Sequence, residues 1–256
     1  MTEQKKSSRL GVVIIAAGKG TRMKSPDIAK VMYKINDAPM ISYVVDLAMK
    51  LMAERIFLIV GWQKEAVIEY VSRISEKVEY VVQEEQLGTG HAVLQTHEAL
   101  KEFEGDLLVL SGDAPLLTEK TTQALIGYHR LSGAVATLLT AEVEDSSGYG
   151  RVVRSTDGFV QKIVEHKDAS AGELTIKEIN SGIYVFDKQR LFEALNHLKP
   201  NNAQGEYYLT DVFEFFRDQH WQVAAVKAVD PIEVMGINDL QQLENVRQIM
   251  AMRANP

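Results

Sequence analysis

Two glycines among a run of cations carry the first chemistry in this chain. Ala16-Ala17-Gly18-Lys19-Gly20-Thr21-Arg22-Met23 follows directly on the apolar run Leu10-Gly11-Val12-Val13-Ile14-Ile15. That order reads as a buried strand ending in a phosphate-holding loop. Glycine turns the backbone at positive φ, and its amide approaches a ligand that no side chain blocks. Lys19, Arg22, Lys24 and Lys30 add cationic donors for several phosphates rather than one. Spacing excludes two better-known phosphate loops. The dinucleotide fingerprint needs a third glycine where Met23 stands, and the Gly-Lys-Ser/Thr loop needs glycine before Lys24-Ser25, where Met23 stands again. A bare Gly-x-Gly would be a tight turn with incidental charge; Arg22 and Lys30 downstream favour phosphate.

Gln83-Glu84-Glu85-Gln86-Leu87-Gly88-Thr89-Gly90-His91-Ala92 opens a helix after a strand. Gly88 and Gly90 permit close backbone approach, Thr89 is a good cap, and the new helix N-terminus favours an anion or a carbonyl oxygen. Ser111-Gly112-Asp113-Ala114-Pro115-Leu116 ends an apolar strand. A carboxylate held there suits a hard cation such as Mg²⁺, which commonly takes one or two protein ligands and fills its other positions from water and phosphate. Taken singly, the first segment is an ordinary glycine-rich helix start and the second a capped turn. The six histidines have no metal-site spacing, and His91 and His97 face different ways on one predicted helix, which suits structural or surface roles. No Gly-x-Ser-x-Gly elbow supports a hydrolase triad.

The loop at Gly18 to Met23 resembles the signature of sugar-nucleotide pyrophosphorylases, which join a nucleoside triphosphate to a sugar 1-phosphate. Lys30 stands for the lysine of the Pro-Lys pair that follows in that family, and Ala29 replaces its proline, at some loss of rigidity. The string at 83–92 is similar to the uracil-recognition loop of the N-acetylglucosamine-1-phosphate uridylyltransferases. The resemblance implies that Gln83, Gly88 and Thr89 read the base, with Ala16, Ala17, Gly18 and Gly20 also binding nucleotide. An amide side chain donates and accepts together, as the imide edge of uracil requires. It implies Arg22 and Lys30 as catalytic residues and Asp113 and Asn238 as Mg²⁺ ligands. Ser111 stands where these enzymes often have tyrosine, so an aromatic contact is lost there. Gly148-Tyr149-Gly150-Arg151, the segment 163–169 and the segment 178–182 would alone be hairpin turns or strand ends. In this order they resemble sugar-binding elements, with a Gly150 backbone amide, the Glu165 carboxylate and Asn180 on the sugar. The string 201–211 is implied to shape an acetamido pocket.

These residues need a scaffold that carries them to one place. Apolar runs at 12–15, 55–60, 78–82 and 107–110 alternate with helical patterns at 40–53, 63–74 and 90–100. Such alternation gives βαβ units and a mainly parallel sheet, with ligands at the carboxyl ends of the strands. The second half has strand patterns at 135–143, 150–154, 159–165 and 179–186, with a polar irregular stretch at 167–178, and suggests an antiparallel cap over the crevice. Helical patterns at 188–196 and 209–217, a strand at 222–226 and an amphipathic helix bearing Leu240, Leu243, Val246, Ile249 and Met250 complete the chain.

Bulk composition narrows the class. A chain of 256 residues with 46% hydrophobic residues builds a sizeable core. A formal charge of −7 disfavours broad nucleic-acid binding, yet permits a local basic pocket. The absence of cysteine excludes disulfides, thiolate metal sites and a Cys nucleophile. Residues 1–9 are polar and basic, unlike a signal peptide, and no apolar stretch approaches the ~20 residues of a membrane-spanning helix. A cytoplasmic protein without a membrane partner is expected. The expected fold is α/β: a Rossmann-like mixed, mainly parallel sheet flanked by helices, with a small antiparallel sugar-binding cap. Residues 10–256 would form one nucleotidyltransferase domain after a polar extension at 1–9, with no hexapeptide repeats of a C-terminal β-helix. The expected reaction joins UTP and N-acetylglucosamine 1-phosphate into UDP-N-acetylglucosamine and pyrophosphate. The rivals are a uridylyltransferase for another hexose 1-phosphate, such as glucose 1-phosphate, and a non-catalytic nucleotide-sugar sensor. Arg22, Lys30, Asp113 and Asn238 together argue against the sensor.

Overall fold

The structure, a computed structural model, describes residues 9–23 and 27–254. Lys24 and residues 1–8, which figured in the sequence reading, lie outside the described residues. The elements are β1 (Leu10–Ala16), a short hairpin of β2 (Lys34–Ile35) and β3 (Ala38–Pro39), α1 (Met40–Lys50), β4 (Arg55–Val60), α2 (Lys64–Ile74) and β5 (Val78–Val82). Then come α3 (Thr89–Leu94), β6 (Asp106–Ser111), α4 (Glu119–Ser132), β7 (Ala136–Glu142), β8 (Arg151–Arg154), β9 (Val160–Val164) and β10 (Glu178–Asp187). The chain continues through α5 (Lys188–Leu195), α6 (Val212–Asp218), β11 (Val223–Lys227) and α7 (Leu240–Ala254).

The main sheet runs β11-β7-β10-β6-β1-β4-β5. β1 is parallel to both neighbours, with Ile14 opposite Leu58 on β4 and Leu110 on β6. β5 extends this parallel block, whereas β10 is antiparallel to both β6 and β7. β11 returns parallel to β7. Consecutive side chains on a strand leave by opposite faces, and both faces here are apolar. Val12, Ile14 and Leu58 join one cluster with residues of α1, α2, α4 and α7; Val13, Phe57 and Ile59 join another with residues of α3, α5 and α6. Two buried faces explain why the parallel strands read as continuous apolar runs rather than alternating ones. They also make the sheet a rigid base whose carboxyl edge is free to hold loops.

The fold departs from the sequence reading in detail. Of the four strands assigned to a cap, β7 and β10 belong to the central sheet; β8 and β9 pair with each other, and β8 touches the sheet through Arg151 opposite Ile179. The helical pattern at 90–100 stops at Leu94, where the backbone bonds tighten to the i−3 spacing of turns, Thr96 N–H to the Val93 carbonyl and His97 N–H to the Leu94 carbonyl, each at 3.0 Å. The helix over 119–132 was not anticipated. It is capped by the Thr118 side chain and ended by Gly133 at φ 67°, both readable signals.

Candidate active site

Parallel pairing puts the carboxyl ends of β1, β4, β5 and β6 on one edge, where the loop after Ala16 and the turn after Ser111 meet. The Gly112 amide bonds the Ile15 carbonyl at 2.9 Å, joining these two turns directly. Gly20 lies at φ 61°, and a Cβ on it would sit 2.6 Å from Lys30 Cβ. Only glycine lets the loop pass that closely over Lys30. Ala16 ends β1 with its side chain in the core, so it can offer a ligand only backbone. Ala17 is buried, and its carbonyl is taken by the Trp62 amide at 3.2 Å.

Four predicted residues from distant parts of the chain converge beside this loop. Lys30 Nζ donates to Asp113 Oδ2 in a largely buried ion pair and to Asn238 Oδ1 at 2.7 Å. Arg22 Nη2 donates to the same Asn238 oxygen at 2.9 Å. The Asp113 and Asn238 oxygens therefore lie within two hydrogen-bond lengths of each other. The strand end fixes Asp113, and the Ile237 amide bonds the Asp113 carbonyl at 2.9 Å, which brings the 236–238 turn against it. Burial works to raise the Asp113 pKa, but the Lys30 charge, with hydrogen bonds from Lys30 and Ser111, outweighs it and holds the carboxyl below its ordinary value. Ser111 thus replaces an expected aromatic contact with a hydroxyl that donates to Asp113 Oδ1. Among the described residues no cluster of three His, Cys, Asp or Glu side chains could hold a metal ion. A cation here would have one carboxylate and one amide carbonyl.

A cleft of about 380 Å³ adjoins this corner, lined by Ala17, Gly18, Lys19, Gly20, Gln83, Gly88 and Thr89 among others. The two glycine-rich segments therefore share one cavity. A cavity of about 500 Å³ is lined by Glu165, Asn201, Asn202 and Tyr208 among others, and one of about 540 Å³ lies elsewhere; neither contains a phosphate-loop residue. Gln83 is 3% exposed, held by its own amide bonding the Val60 carbonyl at 2.8 Å. Gly88 lies at φ 110°, and a Cβ there would meet the Tyr207 carbonyl at 2.5 Å. Thr89 is not the cap that its type suggested. Gly88 occupies the cap position without a side-chain bond, and the Thr89 hydroxyl instead accepts the Leu209 amide at 3.0 Å.

The third group also assembles. A Cβ on Gly150 would lie 3.5 Å from Glu165 Oε1 and 3.5 Å from Asn180 Cβ, and the Asn180 amide bonds the Gly150 carbonyl at 2.9 Å. Two groups that position this cluster escaped the sequence reading. Asn180 Nδ2 donates to the buried Tyr184 hydroxyl at 2.7 Å, and Thr210 Oγ1 donates to Glu165 Oε1 at 3.1 Å. Burial raises the Glu165 pKa against the Thr210 bond. The loop at 201–208 is tied to the end of β9, since Lys167 donates to Gln204 at 2.6 Å and the Ala203 amide to Asp168 at 2.7 Å.

Residues 11–230 match a family model described as nucleotidyl transferase. The chain is 47% identical over 241 residues to a bifunctional protein GlmU of Geobacillus sp. (strain WCH70), covering 94% of this chain and 52% of that protein. A bifunctional protein GlmU of Exiguobacterium sibiricum is 49% identical over 243 residues, covering 95% and 53%. The chain thus spans about half the length of the curated relatives it matches. A solved structure of UDP-glucose pyrophosphorylase complexed with UDP-glucose superposes with a TM-score of 0.75 over 96% of this chain and 99% of that one. At 20% identity that likeness speaks to the fold.

Proposed function

This chain belongs to the nucleotidyl transferase family, and on that premise we propose that it transfers uridylyl from UTP to N-acetylglucosamine 1-phosphate. The products are UDP-N-acetylglucosamine and pyrophosphate. The observation that carries the reading is the convergence of Arg22, Lys30, Asp113 and Asn238 beside a cleft shared by the phosphate loop and the 83–89 segment. Similarity to the GlmU proteins over some 95% of the chain supports it, as does the uridylyltransferase character of the ordered motifs. The domain is taken as residues 10–256, working in the cytoplasm.

In the proposed reaction a phosphate oxygen of the sugar attacks the α-phosphorus of UTP in line. The bond to the β-phosphate bridging oxygen breaks, and pyrophosphate leaves with the electron pair. The attacking phosphate is already an anion, so no base need remove a proton and no covalent enzyme intermediate forms. The protein's part is positioning and charge neutralisation. The Gly18–Gly20 backbone and Lys19 line the triphosphate path. Arg22 and Lys30 neutralise charge that grows on the departing pyrophosphate. Lys30 is engaged by Asp113 and Asn238 in this structure and reaches the phosphates once those oxygens have another partner. The two oxygens, one anionic and one neutral and converging on a single ammonium, fit a divalent cation, Mg²⁺ by the hardness of the donors, which would supply charge neutralisation across the phosphates. Gln83, Gly88 and Thr89 hold the uracil. Gly150, Glu165 and Asn180 hold the sugar, and the 201–208 loop closes its acetamido side.

The direct test is mass spectrometry of the purified chain incubated with UTP, N-acetylglucosamine 1-phosphate and Mg²⁺. UDP-N-acetylglucosamine is expected, and EDTA should stop its formation. No nucleotide sugar from any combination would overturn the reading.

A further inference from the structure

Gln83 and His91 form a pair whose protons can be counted. The Gln83 carboxamide nitrogen lies 3.0 Å from the Gly88 carbonyl oxygen and 3.0 Å from His91 Nδ1. A carbonyl oxygen only accepts, so the end of the amide facing Gly88 must be the NH₂. Reversing it would set two carbonyl oxygens against each other at a side chain only 3% exposed, where an unmet polar group is costly. The two contacts consume both N–H bonds of the amide. His91 Nδ1 must then offer a lone pair, which places the imidazole proton on Nε2.

The other ring nitrogen has a competing claim. His91 Nε2 lies 3.1 Å from the Gln95 amide nitrogen, which also reaches the His91 carbonyl at 3.2 Å. Two NH₂ groups cannot both donate to a neutral imidazole, so one of the two contacts must give way. Gln95 is the one that yields. It is half-buried, it can turn towards water, and the His91 carbonyl keeps the backbone amide of residue 95 at 3.3 Å. The assignment of O and N in such amides rests on this kind of accounting.

With its nitrogen bound on both sides, Gln83 has only Oε1 left, and that oxygen takes no hydrogen bond among the described residues. Gln83 lines the cleft that also contains Gly18 and Gly20. We propose that His91 is a specificity-determining positioning residue: by accepting the Gln83 N–H it fixes the carboxamide with its oxygen towards the cleft, so that the cleft selects a nucleobase with an imide N–H. This rests on the uridylyl reading of the site. Uracil brings an N3–H to meet the oxygen. Cytosine N3 and adenine N1 bring lone pairs, which leave the Gln83 acceptor unmet and repelled.

Two measurements test it. In ¹⁵N NMR of the histidine-labelled wild-type chain, without substrate, His91 should show the Nε2–H tautomer; an Nδ1–H signal would overturn the proposal. Then kcat/KM for UTP and CTP is compared in the wild type, His91→Phe and His91→Asn, with folding checked by circular dichroism. His91→Phe removes the acceptor and should narrow the UTP preference about tenfold, the factor carried by one buried hydrogen bond. His91→Asn keeps an acceptor near the Nδ1 position and should restore most of the preference. An unchanged ratio in a folded His91→Phe chain, or equal narrowing in both variants, would overturn it. If the wild type turns over neither nucleotide, the uridylyl reading fails, and the tautomer together with equilibrium binding of UTP against CTP still decides the role of His91.

Discussion

Lys30 is the residue on which the proposed chemistry depends most. Its ammonium touches both oxygens that would hold a cation, and a Cβ added to Gly20 would sit 2.6 Å from Lys30 Cβ, so the loop packs directly on the lysine stem. A charge fixed by that much structure is suited to act on charge that appears during reaction rather than on the resting substrate. Lys30→Ala should therefore lower kcat by about 10²–10³ while leaving the KM for UTP within a fewfold. Steady-state kinetics checks this, and a raised KM with unchanged kcat would move Lys30 to ground-state binding. The sequence exposed Lys30, Asp113 and Gln83 because each falls in or just after a short string whose order resembles a family motif, although Asp113 and Gln83 taken singly read as a capped turn and a helix start. It hid Ser111, Tyr184 and Thr210, whose hydroxyls meet Asp113, Asn180 and Glu165. For Thr210 the partner lies in another element, and for all three the bond depends on where a side chain turns. A one-dimensional pattern carries neither fact.

At the scale of elements, two segments invite measurement. Ala29, standing where the family has proline, lies at φ −56° and ψ 136°, within the range that a proline ring imposes. Its N–H makes no hydrogen bond among the described residues. The lost proline thus changes the freedom of the unfolded chain and not the folded path. Ala29→Pro should raise Tm by the equivalent of about 0.4–1 kcal/mol, read by thermal denaturation, with a fall contradicting this view. The second segment is the start of α6, where Asp211 occupies the cap position without a side-chain bond. Burial, and then the charges of Glu214, Glu165 and Asp168, push the Asp211 carboxyl up to about 6 from its ordinary 3.8. A carboxyl raised by folding releases its proton later than in the unfolded chain. Stability therefore falls as pH climbs between those two values, and the penalty is complete above the higher one. Asp211→Asn should stabilise by about 1 kcal/mol near pH 8, a value reduced for partial solvent access, and by less near pH 4.5. An equal gain at both pH values would show that charge is not the cause. Element boundaries were the least legible level in the sequence: the pattern at 90–100 kept helical spacing past Leu94, but the backbone tightens there into i−3 turns, which apolar spacing does not register.

Across the whole molecule, the doubly covered sheet explains why local strings far apart act together. Both faces of β1 are buried, so neither helix layer can shift without disturbing the strand ends that hold the loops after Ala16 and Ser111. The alternating runs of the first half made this parallel block legible. The return of β7 and β10 into the same sheet was not legible, because an antiparallel strand pattern does not say which strands it will pair with. The Gly150, Glu165 and Asn180 cluster is consequently attached to the central sheet through Asn180 on β10, which pairs with β6, while Gly150 and Glu165 flank the β8–β9 hairpin. Such an attachment suits the proposed reaction, which would hold a sugar phosphate and a nucleotide phosphate at a fixed separation. The central claim is that this chain, at about half the length of its GlmU relatives, joins uridylyl specifically to the acetamido sugar. It is tested most directly by pyrophosphate release from UTP with a panel of sugar 1-phosphates. The account expects the highest kcat/KM with N-acetylglucosamine 1-phosphate; an equal or greater value with glucose 1-phosphate, or no release with any sugar, would contradict it.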